Sequence, residues 1–396
     1  MNTPHAPQEK TKVKYFNKLE QIPELNSNER QTLDKVVDTF VFRTNDYYQS
    51  LINWDDPNDP IKALIVPDAK ELNDEGKLDA SNEHAYTVAK GLEYKYDSTV
   101  IMLVNETCGA YCRFCFRKRL FMDDNDEVTK DISEAVEYIK THPEINNVLL
   151  TGGDPMIMST SKLEPIVRQI REIDHVRIIR IGTKMPAFNP FRIIDDPSLL
   201  EMIEKYTTPT KKIYVIAHFN HPVELTDAAI ESVNLLQKAG AILVHQTPLI
   251  KGVNDDPLVL NELLNEMSYI GVTPYYVFQC RPTAGNRTFS VPLERAFEIF
   301  EMARVKCSGL AKRARFAMSH ESGKIEVVGL TQDQIFFKFH RAARNGNSGK
   351  FMAFKRNPNA FWFDDYIEAQ DTKTIDFPLS ALNVQEWVDW GLMDKS

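Results

Sequence analysis

The sequence predicts an α/β fold: a partial (β/α)6, TIM-like barrel over residues 98–330, with a helical and loop-rich layer before it over residues 1–97 and an extension after it over residues 331–396. Three observations carry that reading. Short β-rich runs recur from about residue 98, stretches of helical periodicity separate them, and the loops that hold unusual residue types follow the runs directly. Barrels of this kind keep their chemistry at the C-terminal ends of the strands.

Residues 1–12 are polar and are expected to be disordered. Residues 15–55 read as helical, because Asn26-Ser-Asn-Glu29 is a capping sequence ahead of Leu33, Val36, Val37, Phe40 and Phe42 at helical spacing. Asp55–Pro60 must be a loop, since its prolines and Asp/Asn residues break regular structure. Residues 61–95 are charged and irregular, with Ile65-Val-Pro67 as a short apolar piece.

Six strands follow: Val100–Val104, Asn147–Leu150, Val176–Ile181, Lys212–Ile216, Ile242–His245 and Pro274–Phe278. Helical periodicity fills the gaps at Asp131–Thr141, Ser161–Ile173, Ser198–Lys205, Asp227–Ala239 and Asp256–Tyr269. Repeated βα units imply parallel strands joined by right-handed crossovers. Beyond them, Asp333–His340 is either a strand or an amphipathic helix, Asn345–Gly349 is a turn, and Phe351–Phe363 is rich in aromatic residues. That aromatic tail either covers the barrel mouth or meets a second copy, so a homo-oligomer is expected.

Composition excludes several classes. A chain of 396 residues with 43% hydrophobic residues can fill a large core. Its net charge of −9 argues against nucleic acid or an anionic membrane as the main partner. No apolar run approaches the ~20 residues of a membrane span, and the first residues lack the apolar centre of a signal peptide. Five cysteines, an odd number gathered mostly in one place, do not suit a disulfide framework, so a reducing cytoplasm is expected.

Cys108, Cys112 and Cys115 are spaced C-x3-C-x2-C, directly after the first apolar run. Three ligands do not close a tetrahedral zinc site, and no fourth Cys or metal-spaced His lies nearby. They suit a [4Fe–4S] cluster that leaves one iron free for a small molecule. This spacing resembles the signature of the radical S-adenosylmethionine enzymes. The resemblance implies that the open iron chelates S-adenosylmethionine, and that an external one-electron reductant of flavodoxin or ferredoxin type drives its cleavage to a 5′-deoxyadenosyl radical.

After the second strand comes Thr151-Gly-Gly-Asp-Pro155, a turn whose glycines permit close backbone approach and whose Asp154 can accept hydrogen bonds. Its place resembles that of the radical family's glycine pair, which implies that Gly152, Gly153 and Asp154 meet the amino group of S-adenosylmethionine. Together with Arg180–Pro186, His218–Pro222 and Gln246–Asp255, it resembles the lysine 2,3-aminomutase group over residues 90–330. The resemblance implies a free amino acid as substrate, with an amino group moved between its α and β carbons, and pyridoxal 5′-phosphate as a further cofactor. It also implies Lys324 as the lysine that carries that cofactor, Lys95 and Tyr96 as phosphate contacts, and Arg117 as partner of the substrate carboxylate. A second family arginine is matched by Thr99.

Departures from the pattern matter as much. Where the lysine enzymes hold the substrate's distant ammonium with two aspartates, this chain has Arg281 and the neighbourhood of Ala317 and Met318. A cation in one of those places suits an acidic or neutral side chain such as glutamate, with Arg281 contacting it. No structural zinc is expected, because Asp256 replaces one ligand and no Cys follows Cys307; Cys280 and Cys307 are expected to pack as small apolar residues. Two alternatives remain at this level: a radical enzyme on the same scaffold that lacks pyridoxal phosphate and acts on a peptide or protein, and a cluster used only as a redox relay or sensor.

Overall fold

The computed structural model describes residues 11–73, 76–122, 125–343 and 347–367. Most of the polar start, part of the Asn345–Gly349 turn and everything past residue 367 lie outside the described residues. One continuous sheet of twelve strands runs in sequence order. Its strands are β1 (Thr87–Ala89), β2 (Leu92–Tyr96), β3 (Thr99–Asn105), β4 (Asn147–Gly152), β5 (Ile178–Thr183) and β6 (Lys212–His218). They continue as β7 (Ile242–Leu249), β8 (Thr273–Gln279), β9 (Arg315–His320), β10 (Gly323–Leu330), β11 (Gln334–Ala342) and β12 (Phe351–Lys355).

Strands β3 to β9 are all parallel, while β1 and β2 at one end and β10 to β12 at the other are antiparallel. Among the described residues β1 and β12 do not pair, so the barrel stays open. The six expected strands are β3 to β8. A seventh parallel strand, β9, follows the helix Leu293–Lys306, which adds one more βα unit to those read from the sequence.

Helices Ser133–Lys140, Thr160–Arg171, Pro197–Tyr206, Asp227–Lys238 and Pro257–Tyr269 fill the predicted gaps. Their apolar faces, including Leu163, Val167, Ile203 and Leu236, bury against Val148, Ile179, Ile213 and Val215 of the sheet. A second core joins Phe297 and Phe300 of the helix before β9 to Phe316, Ile325, Phe337 and Phe354. The aromatic stretch closes this core with Trp362, Phe363 and Tyr366. Ile335, Phe337 and Phe339 are buried at every second position of β11, and that period of two decides for a strand over a helix.

In the N-terminal layer the helix Ser27–Thr39 starts at Asn26, whose side chain accepts from the Asn28 and Glu29 amides while Glu29 returns a bond to the Asn26 amide. The remainder of residues 15–55 is not one helix. Tyr15–Phe16 pairs with Thr44–Asn45, because the extended backbone at Phe40–Arg43 turns its carbonyls toward the loop after β3. Arg113 of that loop donates to the Val41 carbonyl at 3.0 Å and holds Glu71 at 2.8 Å, both side chains being almost fully buried.

No helix among the described residues is long and apolar enough to cross a membrane. Breaking a buried ion pair leaves one charge uncompensated, which costs about 3–5 kcal/mol. Glu71→Ala is therefore expected to lower unfolding stability by about that much in a denaturant titration; a loss under about 1 kcal/mol would mean that the layer is not anchored through this pair.

Candidate active site

The cysteine loop leaves the C-terminal end of β3 and is held from both sides. The N-terminal layer grips it through Arg43, which donates to the Cys108 carbonyl at 2.9 Å, and Asn45, which donates to the Gly109 carbonyl at 3.1 Å. Ala110, Cys112 and Phe114 pack into the same core as Leu19, Tyr48 and Ile61. On the other side the loop after β4 docks by backbone, with the Asp154 amide donating to the Thr107 carbonyl at 2.9 Å.

That docking explains the glycine pair locally. Gly152 has a φ of +113°, and a Cβ on it would come within 2.5 Å of the Asn105 carbonyl oxygen; a Cβ on Gly153 would collide with the Thr107 backbone. Asp154 is turned inward. Its carboxylate accepts from the Met156 amide at 2.9 Å, the Thr183 hydroxyl at 2.9 Å and the Lys184 amide at 2.7 Å, and burial raises its pKa to about 6. The Asp154 side chain thus ties the loops after β4 and β5 together, and its acceptors point to protein donors.

Cys108, Cys112 and Cys115 are all part-exposed, and burial of the sulfurs pushes their thiols up, Cys112 to about 12. Such thiols give up their protons to a metal centre that supplies positive charge. Among the described residues no three His, Cys, Asp or Glu side chains are gathered so as to share a single metal ion. An all-thiolate set of three fits a cubane, in which each sulfur ligand bonds a different iron. Cys307 is buried in the second core, whereas Cys280 is buried in the core that also takes Ala110, Cys112 and Phe114 of the cysteine loop.

Lys324 stands on β10 inside the mouth. Gly323 before it has a φ of +141°, and any side chain there would collide with the Arg341 carbonyl of the neighbouring strand. The Lys324 Nζ lies 4.0 Å from the Tyr276 ring centre and 5.0 Å from that of Phe278, and it makes no hydrogen bond or ion pair among the described residues. Burial, then the charges of Arg180, Arg341, Arg281 and Lys95, push its pKa well below the ordinary lysine range. That shift favours the uncharged, nucleophilic form of the amine.

Lys95 donates to the His320 carbonyl at 2.5 Å, and burial lowers its pKa to about 8. The Tyr96 hydroxyl is buried, and burial raises its pKa to about 12. Two cations of this cradle were not singled out from the sequence. Arg180 on β5 donates to Asn147 at 2.8 Å, and Arg341 on β11 donates to Thr99 at 3.1 Å and Ser98 at 3.2 Å. Nothing in local spacing marks Arg341, which reaches Thr99 by side chain from a strand that does not pair with β3.

Arg117 and Arg281 both point inward and share Glu83. Arg117 meets that carboxylate at 3.1 and 3.2 Å, Arg281 at 3.2 Å and Arg119 at 3.1 Å. Against the upward push of burial, the three arginines hold Glu83 far below the usual carboxylate range. Glu93, 3.7 Å from Arg117, goes the other way: burial, with Glu83 adding to it, raises it to about 8, so it is protonated at pH 7. The fork assigned to a substrate carboxylate thus already holds one from the N-terminal layer. Near the loops after β5 to β7, burial lowers His218 to about 3, and this neutral ring accepts from the Gln246 amide at 2.5 Å.

Comparison with known proteins finds one family. Residues 102–261 match the family model of the radical SAM superfamily. The chain is 59% identical over 358 residues to a putative L-lysine 2,3-aminomutase of Aquifex aeolicus, covering 90% of this chain and 96% of that protein. It is 35% identical over 305 residues to the L-lysine 2,3-aminomutase of Acetoanaerobium sticklandii, covering 76% and 72%. It is likewise 35% identical over 295 residues to the glutamate 2,3-aminomutase of Clostridioides difficile, covering 74% and 68%.

Proposed function

The chain belongs to the lysine 2,3-aminomutase family of radical S-adenosylmethionine enzymes, and from that premise we propose that it is a pyridoxal-phosphate-dependent amino-acid 2,3-aminomutase whose substrate has an acidic or neutral side chain, glutamate for example. The observation that carries the reading is the Lys324 amine, set against the Tyr276 and Phe278 rings with no hydrogen bond or ion pair among the described residues and facing the charges of Arg180, Arg341, Arg281 and Lys95. A primary amine pushed toward its uncharged form beside a group of cations is what a phosphate-bearing aldehyde requires.

When bound, the [4Fe–4S] cluster and S-adenosylmethionine supply a carbon-centred radical, and pyridoxal 5′-phosphate supplies a conjugated partner for the migrating nitrogen. Cys108, Cys112 and Cys115 would hold the cluster, and Gly152 and Gly153 set the loop against it. Lys324 offers the amine, while Lys95 and Tyr96 line the phosphate end. Arg117 takes the substrate carboxylate, for which Glu83 must give up at least one of its three arginines. Arg281, stacked 3.6 Å over Phe116, favours an acidic side chain. Glu83 is engaged and Glu93 is protonated, so neither offers a free carboxylate to a lysine ammonium. An oxygen-sensitive cluster fed by a flavodoxin or ferredoxin fits a reducing cytoplasm.

Borohydride treatment of the anaerobic holoenzyme is expected to fix one pyridoxyl group on Lys324, located by peptide mass spectrometry, and product analysis is expected to give the β-isomer of glutamate ahead of that of lysine. Labelling elsewhere would remove the lysine assignment, and equal conversion of lysine would remove the role of Arg281. A pH dependence follows from Lys95. The cofactor phosphate is fully ionised above about pH 7, whereas Lys95 loses its charge as pH rises through about 8. Pyridoxal-phosphate affinity, read by absorbance titration, should stay level between about pH 7 and 8 and weaken up to roughly tenfold per unit above that; a flat profile from pH 7 to pH 10 would exclude Lys95 from the cradle.

A further inference from the structure

Strand register places Lys324 of β10 directly opposite Arg341 of β11. Opposite residues of an antiparallel pair share one face, and like charges there repel. In this pair both sit on the side that Arg180, Arg281 and Lys95 also approach. Arg341 nevertheless has a fixed pose. Its two terminal nitrogens donate to Thr99 and Ser98, at 3.1 and 3.2 Å, and its guanidinium lies 4.5 Å over the Tyr96 ring. Its hydrogen-bond acceptors are neutral hydroxyls, and no carboxylate forms an ion pair with it among the described residues. The chain thus spends two hydroxyls and an aromatic face on aiming a full positive charge at another cationic strand. Only a bound anion makes that arrangement favourable.

We propose that Arg341 is the arginine that clamps the phosphate of the pyridoxal cofactor, positioned by Ser98, Thr99 and Tyr96. The proposal rests on the reading of Lys324 given above and extends it to a residue of the antiparallel extension. It also assigns that extension a part in cofactor binding, since β11 brings the clamp to the end of the barrel where β2 and β3 carry Tyr96 and Thr99.

Two probes separate phosphate binding from aldehyde chemistry: pyridoxal 5′-phosphate and pyridoxal, titrated by absorbance into the full chain freed of cofactor. The wild type is expected to prefer the phosphorylated form strongly. Arg341→Gln should weaken pyridoxal-phosphate binding by roughly 10- to 100-fold and leave pyridoxal binding unchanged, while Arg341→Lys restores part of the preference. A residue that only supported the fold would lower both affinities together. If Arg341→Gln keeps the wild-type preference, the clamp is overturned while the Lys324 reading stands. If the wild type forms no adduct with either aldehyde, the reading itself fails and the clamp with it. Should Arg341→Gln fail to fold, Ser98→Ala combined with Thr99→Val removes the bonds that aim Arg341 at near-constant volume, and a several-fold drop in the same preference is expected; an unchanged preference overturns the clamp.

Discussion

Positive charge concentrated inside a barrel mouth is the constraint from which the rest of this structure can be understood. Lys324, Arg341, Arg180, Arg281 and Lys95 converge, Lys95 buried and the others half-buried, and a protein that gathers such charges without an occupant works against its own stability. Part of the strain is relieved internally, because burial and the neighbouring charges push the Lys324 pKa down. Part is relieved on the substrate side, where Glu83 bridges three arginines. Among the described residues Arg180 and Arg341 form no ion pair with a carboxylate, and it is there that the proposed phosphate would complete the site.

The second constraint is the meeting of two loops. Backbone of the loop after β4 lies against the residues just before Cys108, and only glycine at 152 and 153 lets it do so. From outside, Arg43, Asn45 and the buried Arg113–Glu71 pair fix the same cysteine loop to the N-terminal layer. The three thiols therefore take their positions from three separate parts of the chain. Arg117 of the cysteine loop shares Glu83 with Arg281, whose charge reaches Lys324, so the cysteine loop and the cation group adjoin.

Much of this was legible in the sequence where a single period or a tight spacing carried the signal. Strands β3 to β8 stand out as apolar runs between amphipathic helices, and Asn26 and Glu29 form the capping pair their spacing implied. Strand β2 was hidden because all five of its positions are buried, Glu93 and Lys95 among them, so its polar residues read as surface. The helix before β9 and β9 itself were passed over, which left the barrel one parallel strand short. Arg341 and Glu83 escaped for a different reason. Their partners are 242 and 34 residues away, and only the three-dimensional register brings them together. The inward turn of Asp154 was equally invisible, because a Gly-Gly-Asp turn does not say which way its carboxylate faces.

The convergence of charge has a direct thermodynamic test that needs neither cluster nor substrate. A ligand that binds only the folded state raises its stability in proportion to how far its concentration exceeds its dissociation constant. Thermal unfolding of the cofactor-free chain should therefore be followed against inorganic phosphate, with chloride at matched ionic strength as the reference. The account predicts a melting temperature that climbs with phosphate well beyond the chloride series. Superimposable curves in the two salts would contradict it.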